Sequence, residues 1–207
     1  MSSLDCCPLF FKPVKVNYEN EILYERFISA INATVVFRSL QLSTDIELIH
    51  DWVNQPYTKR FWQMSVDIKS LQKTYGSILE NCHAHSFIGL LNEKITCLID
   101  VYQVNIDELK QHVLASNDDC GLHMLMGPPR QMLKNSSHHM LSEFLSFYFS
   151  FPMAGSMYAE PDQENILANR LAKSVGFQFV KTIQLSYKTA NLYSITKNQF
   201  YAKNKIS

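Results

Sequence analysis

Two side chains in this sequence are suited to proton transfer, and each stands at the entrance to a predicted strand. His85 opens the apolar segment 85–91, and Asp119 comes shortly before the apolar segment 121–126. An imidazole titrates near neutral pH, and an aspartate at a strand entrance can orient that imidazole or take the proton itself. Other interpretations stay open: a hydrogen-bonded surface histidine at a strand start, an aspartate that caps a loop, or Asp118 in place of Asp119.

A metal site is the other chemistry that the histidines and cysteines suggest. Cys82, His83 and His85 lie close together in the sequence, with Cys97 as a further ligand. The five cysteines are odd in number and show no Cys-x-x-Cys spacing, so we predict no metal and expect reduced thiols in a cytoplasmic protein. The motifs of serine-hydrolase elbows, P-loops and HExxH metalloproteases do not occur.

Composition narrows the class of protein. The chain has 207 residues, of which 46% are apolar and 12% aromatic, enough for one domain with a well-filled core. Its 19 basic and 19 acidic residues balance and form no basic stripe, so we expect no nucleic-acid partner. No apolar run reaches the roughly 18 residues that a membrane span needs, and Asp5 stands where a signal peptide carries positive charge.

Hydrophobic periodicity predicts the elements that must position these residues. Alternating apolar residues indicate strands, and apolar residues three or four positions apart indicate helices. The predicted strands are 34–40, 85–91, 95–103, 121–126, 156–160, one that starts at 177, and 187–196. The predicted helices are 44–53, one that starts at 56, one that ends near 79, 106–114, one from 136 or 137 to 149, and one that ends at 175.

Turn and capping residues support these elements. Asn92-Glu93-Lys94 has the spacing of a β-hairpin, and Gly176 stands where a helix end favours a positive φ. Ser43 is the predicted cap of the first helix, and Asp67 or Ser65 is the predicted cap of the third.

The domain organisation follows from apolar residues near the start of the chain. Five of them need burial: Ile22, Leu23, Phe27, Ile28 and Ile31. We therefore expect residues 1–32 to form an extension that packs on one domain of residues 33–207. No repeat, low-complexity tract or Gly/Ser linker divides the remainder.

Four ordered segments resemble the GNAT acyltransferases. Residues 37–64 contain a strand, an acidic helix start, a Trp-x-Asn and a Phe-Trp pair, and 85–103 form a hairpin that ends in an acidic residue, one further residue and Tyr. Residues 119–127 contain Asp-x-Gly-Leu-His, and 159–192 contain an Asn-bearing turn, a helix, a Gly-Phe exit and Lys-x-Ala-x-Leu. The set is typical of siderophore hydroxamate acyltransferases of the aerobactin and mycobactin type and, more distantly, of aminoglycoside 6′-N-acetyltransferases. It covers about residues 34–200 and implies an α/β fold with a mixed, mostly antiparallel central sheet flanked by helices.

The resemblance implies acetyl-CoA or another acyl-CoA as the donor, without a metal. A backbone N–H of the strand 123–126 is expected to polarise the thioester carbonyl, which enters where this strand and the next separate. The Asn-bearing turn and its helix are expected beside the pantetheine arm. The residues assigned to the donor are His123, Met124, Leu125, Met126, Gln131, Lys134 and Asn165.

The loop that should hold the pyrophosphate departs from the family. Family members carry glycines there, because glycine lets successive backbone N–H groups curl around a phosphate. Residues 130–137 contain no glycine: Gln131 takes the first position, and Lys134 and Ser136 stand where glycines belong. Three explanations stay open: an altered CoA contact, an acyl carrier protein as the donor, or a donor site that has lost its function.

The resemblance also implies residues on the acceptor side. Phe61 and Trp62 border the acceptor pocket in the resembling branch, where a flat ring lines an aliphatic chain, although Trp62 equally fits an aromatic core. Tyr102 and Lys188, from the matching hairpin and tail, are assigned to the acceptor as well.

The predicted activity is transfer of an acyl group from acyl-CoA to an N-hydroxylated amine, such as hydroxylysine, hydroxyornithine or a hydroxydiamine, to form a siderophore hydroxamate. His85 and Asp119 match a His and an Asp proposed to act together in mycobactin-type enzymes, and His123 is either near the reaction centre or a core histidine. A hydroxylamine is a weak base and largely unprotonated at neutral pH, so one such pair is enough. The alternatives are an aminoglycoside 6′-N-acetyltransferase-like enzyme and a GNAT-fold binding protein with a degenerate CoA loop. The acceptor, the acyl length and the oligomeric state stay open.

Overall fold

Strands and helices alternate along the chain, of which the computed structural model describes residues 9–13, 21–62, 64, 66–128 and 133–204. The strands are β1 (Ile22–Ile28), β2 (Ala33–Ser39), β3 (Ala84–Leu91), β4 (Lys94–Gln103), β5 (Cys120–Met126), β6 (Met157–Ala159), β7 (Gln178–Gln184) and β8 (Thr189–Ile195). The helices are α1 (Leu42–Val53), α2 (Pro56–Trp62), α3 (Ile68–Glu80), α4 (Ser136–Ser150), α5 (Ile166–Val175) and α6 (Lys197–Asn204). None of the helices in these described ranges has both the length and the apolar character that crossing a membrane requires.

The strands form one sheet in the order β1-β2-β3-β4-β5-β6-β8-β7. Antiparallel pairing joins β1 to β2, β2 to β3, β6 to β8 and β7 to β8, whereas β5 and β6 are parallel. The predicted fold class, an α/β protein with a mixed, mostly antiparallel sheet, is confirmed.

The chain divides into two compact units, and each has its own core. The first unit contains residues 12–100 and 124–136, and the second contains residues 9–11, 101–123 and 137–207. In the first unit α1 packs against α3, and the residues of its core that are completely buried include Leu40, Ile49, Val53, Leu71, Tyr75, Ile88 and Leu98. A core cluster of the second unit comprises Val104, Leu109, Ile183, Leu185, Ala190 and Leu192.

Several boundaries follow from local sequence signals. The carboxylate of Asp67 accepts a hydrogen bond from the backbone N–H of Ser70 at 3.1 Å, so the predicted cap of α3 is confirmed. Gly176 ends α5 with a φ of 112°, and the hairpin turn between β3 and β4 places Asn92 at φ 47° and Glu93 at φ 64°. The positive φ of Gly176 and the position of the hairpin are both as predicted, the first from the glycine and the second from the spacing of the two strands.

The cap predicted for α1 is wrong. The helix begins at Leu42, and its cap residue is Gln41, whose side chain makes no capping bond. Asp45 takes over this role, because its Oδ2 accepts the backbone N–H of Gln41 at 2.8 Å. The same carboxylate receives two hydrogen bonds of 2.7 Å from the Arg38 guanidinium, a buried bidentate pair that joins β2 to α1.

Elements near both ends of the chain also differ from the prediction. β1 joins the edge of the sheet and leaves Ile22 55% and Phe27 60% exposed, so the expected burial of these two side chains is wrong. The predicted helix 106–114 consists instead of two short 3-10 helices, Val104–Ile106 and Glu108–Gln111. α6 was not predicted. The proposed boundary between residues 32 and 33 stays a prediction.

Two of the cysteines, Cys97 and Cys120, are buried free thiols, as expected.

Candidate active site

The candidate site begins where β5 and β6 part. Among the described residues these parallel strands share two pairs, the second of which joins Gly121 to Tyr158. β6 ends at Ala159, whereas β5 continues to Met126. Among the described residues, β6 therefore pairs with the start of β5 and not with its end, as the predicted separation of the two strands requires.

A buried carboxylate at this point, Glu160, contacts three polar side chains. The Nε2 atom of His123 is hydrogen-bonded to Oε1 of Glu160, and the hydroxyl of Tyr102 donates to Oε2 at 2.9 Å. The ammonium of Lys188 lies 3.7 Å from Oε1. Glu160 is 3% exposed, while the His123 side chain is 37% exposed, so the imidazole is the accessible member of the group.

Burial and these contacts set the charges in the group. Burial by itself raises the pKa of Glu160. Once His123 is protonated, its charge and hydrogen bond, with the Lys188 ammonium and the Tyr102 hydroxyl, outweigh burial and lower that pKa to about 2. Burial, followed by the charge of Glu160, raises the pKa of Tyr102 well above its ordinary value. Near neutral pH Glu160 is therefore an anion, and Tyr102 is a neutral hydrogen-bond donor.

Gly121 makes room for Tyr102 beside β5. A Cβ atom at position 121 would lie 2.2 Å from Cζ and 2.3 Å from the hydroxyl oxygen of Tyr102, far inside van der Waals contact. The Tyr102 and His123 rings lie with their centroids 5.2 Å apart. The glycine of the Gly-Leu-His segment is thus required by the ring that holds Glu160.

The turn between β7 and β8 is tied to the segment that follows β4. Both carboxylate oxygens of Glu108 accept hydrogen bonds from Ser186, from its backbone N–H at 2.8 Å and from its hydroxyl at 2.9 Å. The Lys188 ammonium lies 5.2 Å from the ring centroid of the neighbouring Tyr187. These contacts hold Lys188 in reach of the buried carboxylate.

Asp119, one of the two residues predicted to handle a proton, is engaged by backbone groups. Its Oδ2 accepts from the N–H of Ser116 at 2.9 Å, and its Oδ1 accepts from the N–H of Ser156 at 2.6 Å. A Cβ atom at Gly155 would lie 2.5 Å from Oδ1, so the chain passes close to this carboxylate. These contacts are those of an aspartate that ties loops together, one of the alternatives left open by the sequence.

His85, the other predicted proton-handling residue, is completely buried on β3 in the first unit. Its Nε2 atom is 2.9 Å from the Ser39 hydroxyl, and its Nδ1 atom has no hydrogen-bond partner among the described residues. Burial, followed by the charge of Lys12, lowers the pKa of His85 to about 3, so the ring is neutral near neutral pH. The alternative of a surface histidine is wrong. Asp119 belongs to the second unit, and the pairing of His85 with Asp119 stays a prediction.

Two aromatic residues predicted on the acceptor side lie at the end of α2. Trp62 packs against the core of the first unit, as a core aromatic would, but it is only half-buried, as a residue that borders an acceptor pocket would be. Phe61 is also half-buried, and the Arg60 guanidinium lies 5.1 Å from its ring centroid. Trp52 is a core residue, with 2% exposure.

The predicted donor residues occupy several different environments. Leu125 is buried in the first core, and Met124 and Met126 beside it on β5 are half-buried. Asn165 caps α5, with its side-chain oxygen accepting the N–H of Ala168 at 3.1 Å.

The described part of the predicted pyrophosphate loop contains a left-handed residue. Gln131 lies outside the described residues, and Lys134 is exposed. Asn135 adopts a φ of 61° directly before α4, a conformation that asparagine tolerates better than most residues. Asn135 lies between Lys134 and Ser136, the two positions at which the resemblance places glycines.

The structure brings together three predicted site residues, Tyr102, His123 and Lys188, around a residue to which the sequence assigned no role. The only signal for Glu160 in the sequence is its position, an acidic residue between a short strand and Pro161. Its partner His123 is 37 residues away along the chain. Their pairing is visible only in the fold.

Comparison with known proteins identifies the class and the family of this protein. The family model described as acetyltransferase (GNAT) domain matches residues 41–185, and the chain belongs to this family. The predicted enzyme class, a GNAT-type N-acyltransferase, is confirmed.

Two relatives indicate the kind of acceptor that similar proteins use. The chain is 27% identical to N-hydroxyputrescine acetyltransferase of Acinetobacter baumannii over 165 residues, which cover 79% of this chain and 78% of the relative. It is 21% identical to N(6)-hydroxylysine O-acetyltransferase of Escherichia coli over 189 residues, which cover 87% of this chain. The match spans 58% of that relative, little more than half its length.

Two solved structures have a fold similar to that of this chain. An uncharacterised protein of Bacillus halodurans superposes with a TM-score of 0.82 at 23% identity, covering 87% of this chain and 93% of that protein. An aminoglycoside acetyltransferase in complex with coenzyme A superposes with a TM-score of 0.74 at 17% identity, covering 82% of this chain and 99% of that enzyme.

Proposed function

We propose that this protein transfers an acetyl group, or a related acyl group, from acyl-CoA to the nitrogen of an N-hydroxylated amine and thereby forms a hydroxamate for siderophore biosynthesis in the cytoplasm. The observation that carries the proposal is the accessible imidazole of His123 bonded to the buried, anionic Glu160. The names of the relatives from Acinetobacter baumannii and Escherichia coli support a hydroxylated amine as the acceptor.

His123 is the proposed general base. The hydroxylamine nitrogen attacks the thioester carbonyl carbon, a C–N bond forms, and the C–S bond breaks to release the CoA sulfur. The nitrogen loses one proton to the imidazole, and the CoA sulfur leaves as a thiolate. The imidazolium then returns this proton to the sulfur, so that a thiol is released and neutral His123 is restored. Glu160 stabilises the imidazolium that forms, and Tyr102 and Lys188 keep Glu160 in place and ionised.

The weak basicity of the acceptor suits a single base. A hydroxylamine nitrogen is largely unprotonated near neutral pH, so no proton has to be removed before attack. The accessible imidazole of His123 then has to accept only the proton that the nitrogen loses during the attack. The proposal assigns His85 no direct role, because its ring is buried.

Acyl-CoA is the proposed donor, and the GNAT family to which the chain belongs supports it. Bound acyl-CoA supplies the activated acyl group. The left-handed Asn135 directly precedes α4, whose positive end attracts a phosphate. The half-buried Met124 and Met126 flank a backbone suited to polarising the carbonyl.

The test compares His123→Asn and Glu160→Gln with the wild type, using acetyl-CoA and N-hydroxy-1,4-diaminobutane. We expect each variant to lose about 10²-fold to 10⁴-fold in kcat, measured as thiol release and as the coloured ferric complex of the hydroxamate. His112→Asn, at a half-buried histidine of the same unit, is the control and keeps wild-type turnover.

Near-normal turnover in both variants would refute the assignment of the base. Turnover of kanamycin but not of the hydroxylamine would favour an aminoglycoside enzyme. The absence of a thermal shift with any acyl-CoA would favour a binding protein or a carrier-protein donor.

A further inference from the structure

The turn that follows the buried Glu160, residues 161–165, is paired with β8, the strand that begins directly after Lys188. The register of the β6–β8 pair continues past the end of β6 to a bridge between Asp162 and Ala190. The pairing of this turn with β8 therefore sets where Glu160 and Lys188 lie relative to each other.

One amide side chain ties the 161–165 turn to β8. Asn169, on α5, is 9% exposed. Its Nδ2 atom donates to the backbone carbonyl oxygens of Asp162 and Asn165, both at 2.8 Å. Its Oδ1 atom accepts from Nδ2 of Asn191 at 2.8 Å and from the Tyr193 hydroxyl at 3.0 Å. Both donors and both acceptor sites of this amide are thus used, the donors on the turn and the acceptors on β8.

The helix α5 does not need this amide for its own formation. Asn165 caps the start of the helix, and Gly176 ends it. Ala172 and Val175 are the apolar residues on its buried face, where helical periodicity places apolar side chains. A buried amide costs free energy unless its hydrogen bonds are made, and a leucine at position 169 would avoid that cost. The amide of Asn169 therefore serves the turn and β8, not the helix.

Asn191 extends the same network to β7. Its Oδ1 atom accepts the Thr182 hydroxyl at 3.0 Å, while its Nδ2 atom donates to Asn169. Lys188 lies in the turn between β7 and β8, where its carbonyl oxygen accepts the backbone N–H of Leu185 at 2.9 Å. The network thus joins the turn that follows the buried carboxylate to the hairpin that carries the ammonium.

We propose that Asn169 is a positioning residue for the Glu160–His123 pair, because it holds the 161–165 turn and β8 in the arrangement that directs the carboxylate toward the imidazole. The inference rests on the proposed function, in which Glu160 stabilises the His123 imidazolium, and adds a residue that acts through Glu160. A displacement of a catalytic group by about 1 Å is enough to slow a reaction by about 10²-fold.

Kinetics of Asn169→Leu test this role, because the substitution removes all four hydrogen bonds of the amide. We expect kcat to fall about 10-fold to 100-fold, while the KM values for acetyl-CoA and N-hydroxy-1,4-diaminobutane stay near those of the wild type. In the Glu160→Gln background the same substitution should lower kcat no further, because two residues that act through one group are not additive. The same fold-loss of kcat in both backgrounds would overturn the inference.

Asn105→Leu is the matched control in the same unit. It removes a 2.7 Å hydrogen bond from the Asn105 side chain to Asn117, which joins two parts of one loop region. We expect this variant to keep the wild-type kcat, since its lost bond does not involve the turn after Glu160.

A spectroscopic measurement separates this inference from the proposed function. The ring N–H of His123 that faces the Glu160 carboxylate should give a downfield, slowly exchanging proton resonance in ¹⁵N-edited NMR. We expect this resonance in the wild type and in Asn105→Leu, and we expect it to move upfield or to disappear by exchange in Asn169→Leu. Asn191→Val keeps the backbone pairing of β8 with a side chain that favours strands, and it should move the resonance in the same direction.

The Asn191→Val variant keeps the test decisive if Asn169→Leu does not fold. An unchanged His123 resonance in folded Asn169→Leu, or in Asn191→Val where the first variant does not fold, would overturn the inference. Wild-type turnover in Glu160→Gln would instead refute the proposed role of Glu160 alone, because the resonance reports the position of this carboxylate independently of acyl transfer.

Discussion

Acid should destabilise this protein through His85, because its completely buried imidazole is harder to protonate in the folded protein than in the unfolded chain. Burial, followed by the charge of Lys12, lowers the pKa of His85 from 6.5 to about 3. The unfolded state therefore binds a proton between these two pH values that the native state does not bind. Because the unfolded state holds more protons in this window, the free energy of unfolding falls as the pH drops from 6.5 toward 3.

The size of the effect follows from the two pKa values. Linkage between 6.5 and about 3 makes the contribution of His85 about 2 kcal/mol less favourable at pH 5 than at pH 7.5, with a limiting slope of about 1.4 kcal/mol per pH unit. Urea unfolding at several pH values between these limits measures it. In His85→Gln this part of the pH dependence should be lost, whatever the variant's stability at pH 7.5.

Ser39→Ala is the matched control. It removes the hydroxyl that lies 2.9 Å from Nε2 of His85 but keeps the buried imidazole. We expect it to lower stability at every pH by about 1 kcal/mol and to keep the wild-type slope. If His85→Gln showed the same slope as the wild type between pH 7.5 and pH 5, the claim of a buried neutral imidazole would be refuted.

Two further substitutions test close contacts in the second unit. Gly121→Ala should cost about 1–3 kcal/mol of stability in urea unfolding and lower kcat, because the new Cβ collides with the Tyr102 ring. Gly76→Ala is the control, because a Cβ atom at this helix position would lie at an ordinary 3.7 Å from the Leu42 side chain, and it should stabilise the protein by about 0.5–1 kcal/mol. Equal effects of the two substitutions on stability would contradict the steric argument. Asp119→Ala leaves two backbone N–H groups without their acceptor and should cost about 1–3 kcal/mol, with the turnover of the folded fraction preserved. A loss of kcat at full stability would instead support the predicted role of Asp119 in proton transfer.

Predictions from the sequence succeeded where the cause is local. The β3–β4 hairpin, the Asp67 cap and the Gly176 helix end each depend on residues a few positions apart, and such residues meet in any fold that contains the element. The Ser43 cap failed although its cause is also local. Asp45 accepts the backbone N–H of Gln41 and pairs with Arg38 of the preceding strand, so α1 begins before the serine.

The sequence by itself determined most of the element order between residues 34 and 196, the family and the residues available for chemistry, because apolar periodicity, turn residues and motif spacing are properties of the chain. Only the tertiary structure decided which histidine is accessible and which carboxylate it meets. His85 and His123 both stand on strands, yet packing buries the first as a neutral ring and leaves the second open beside Glu160. Burial and charge pairing depend on neighbours that lie far apart in the sequence, and these neighbours come together only when the strands and helices pack.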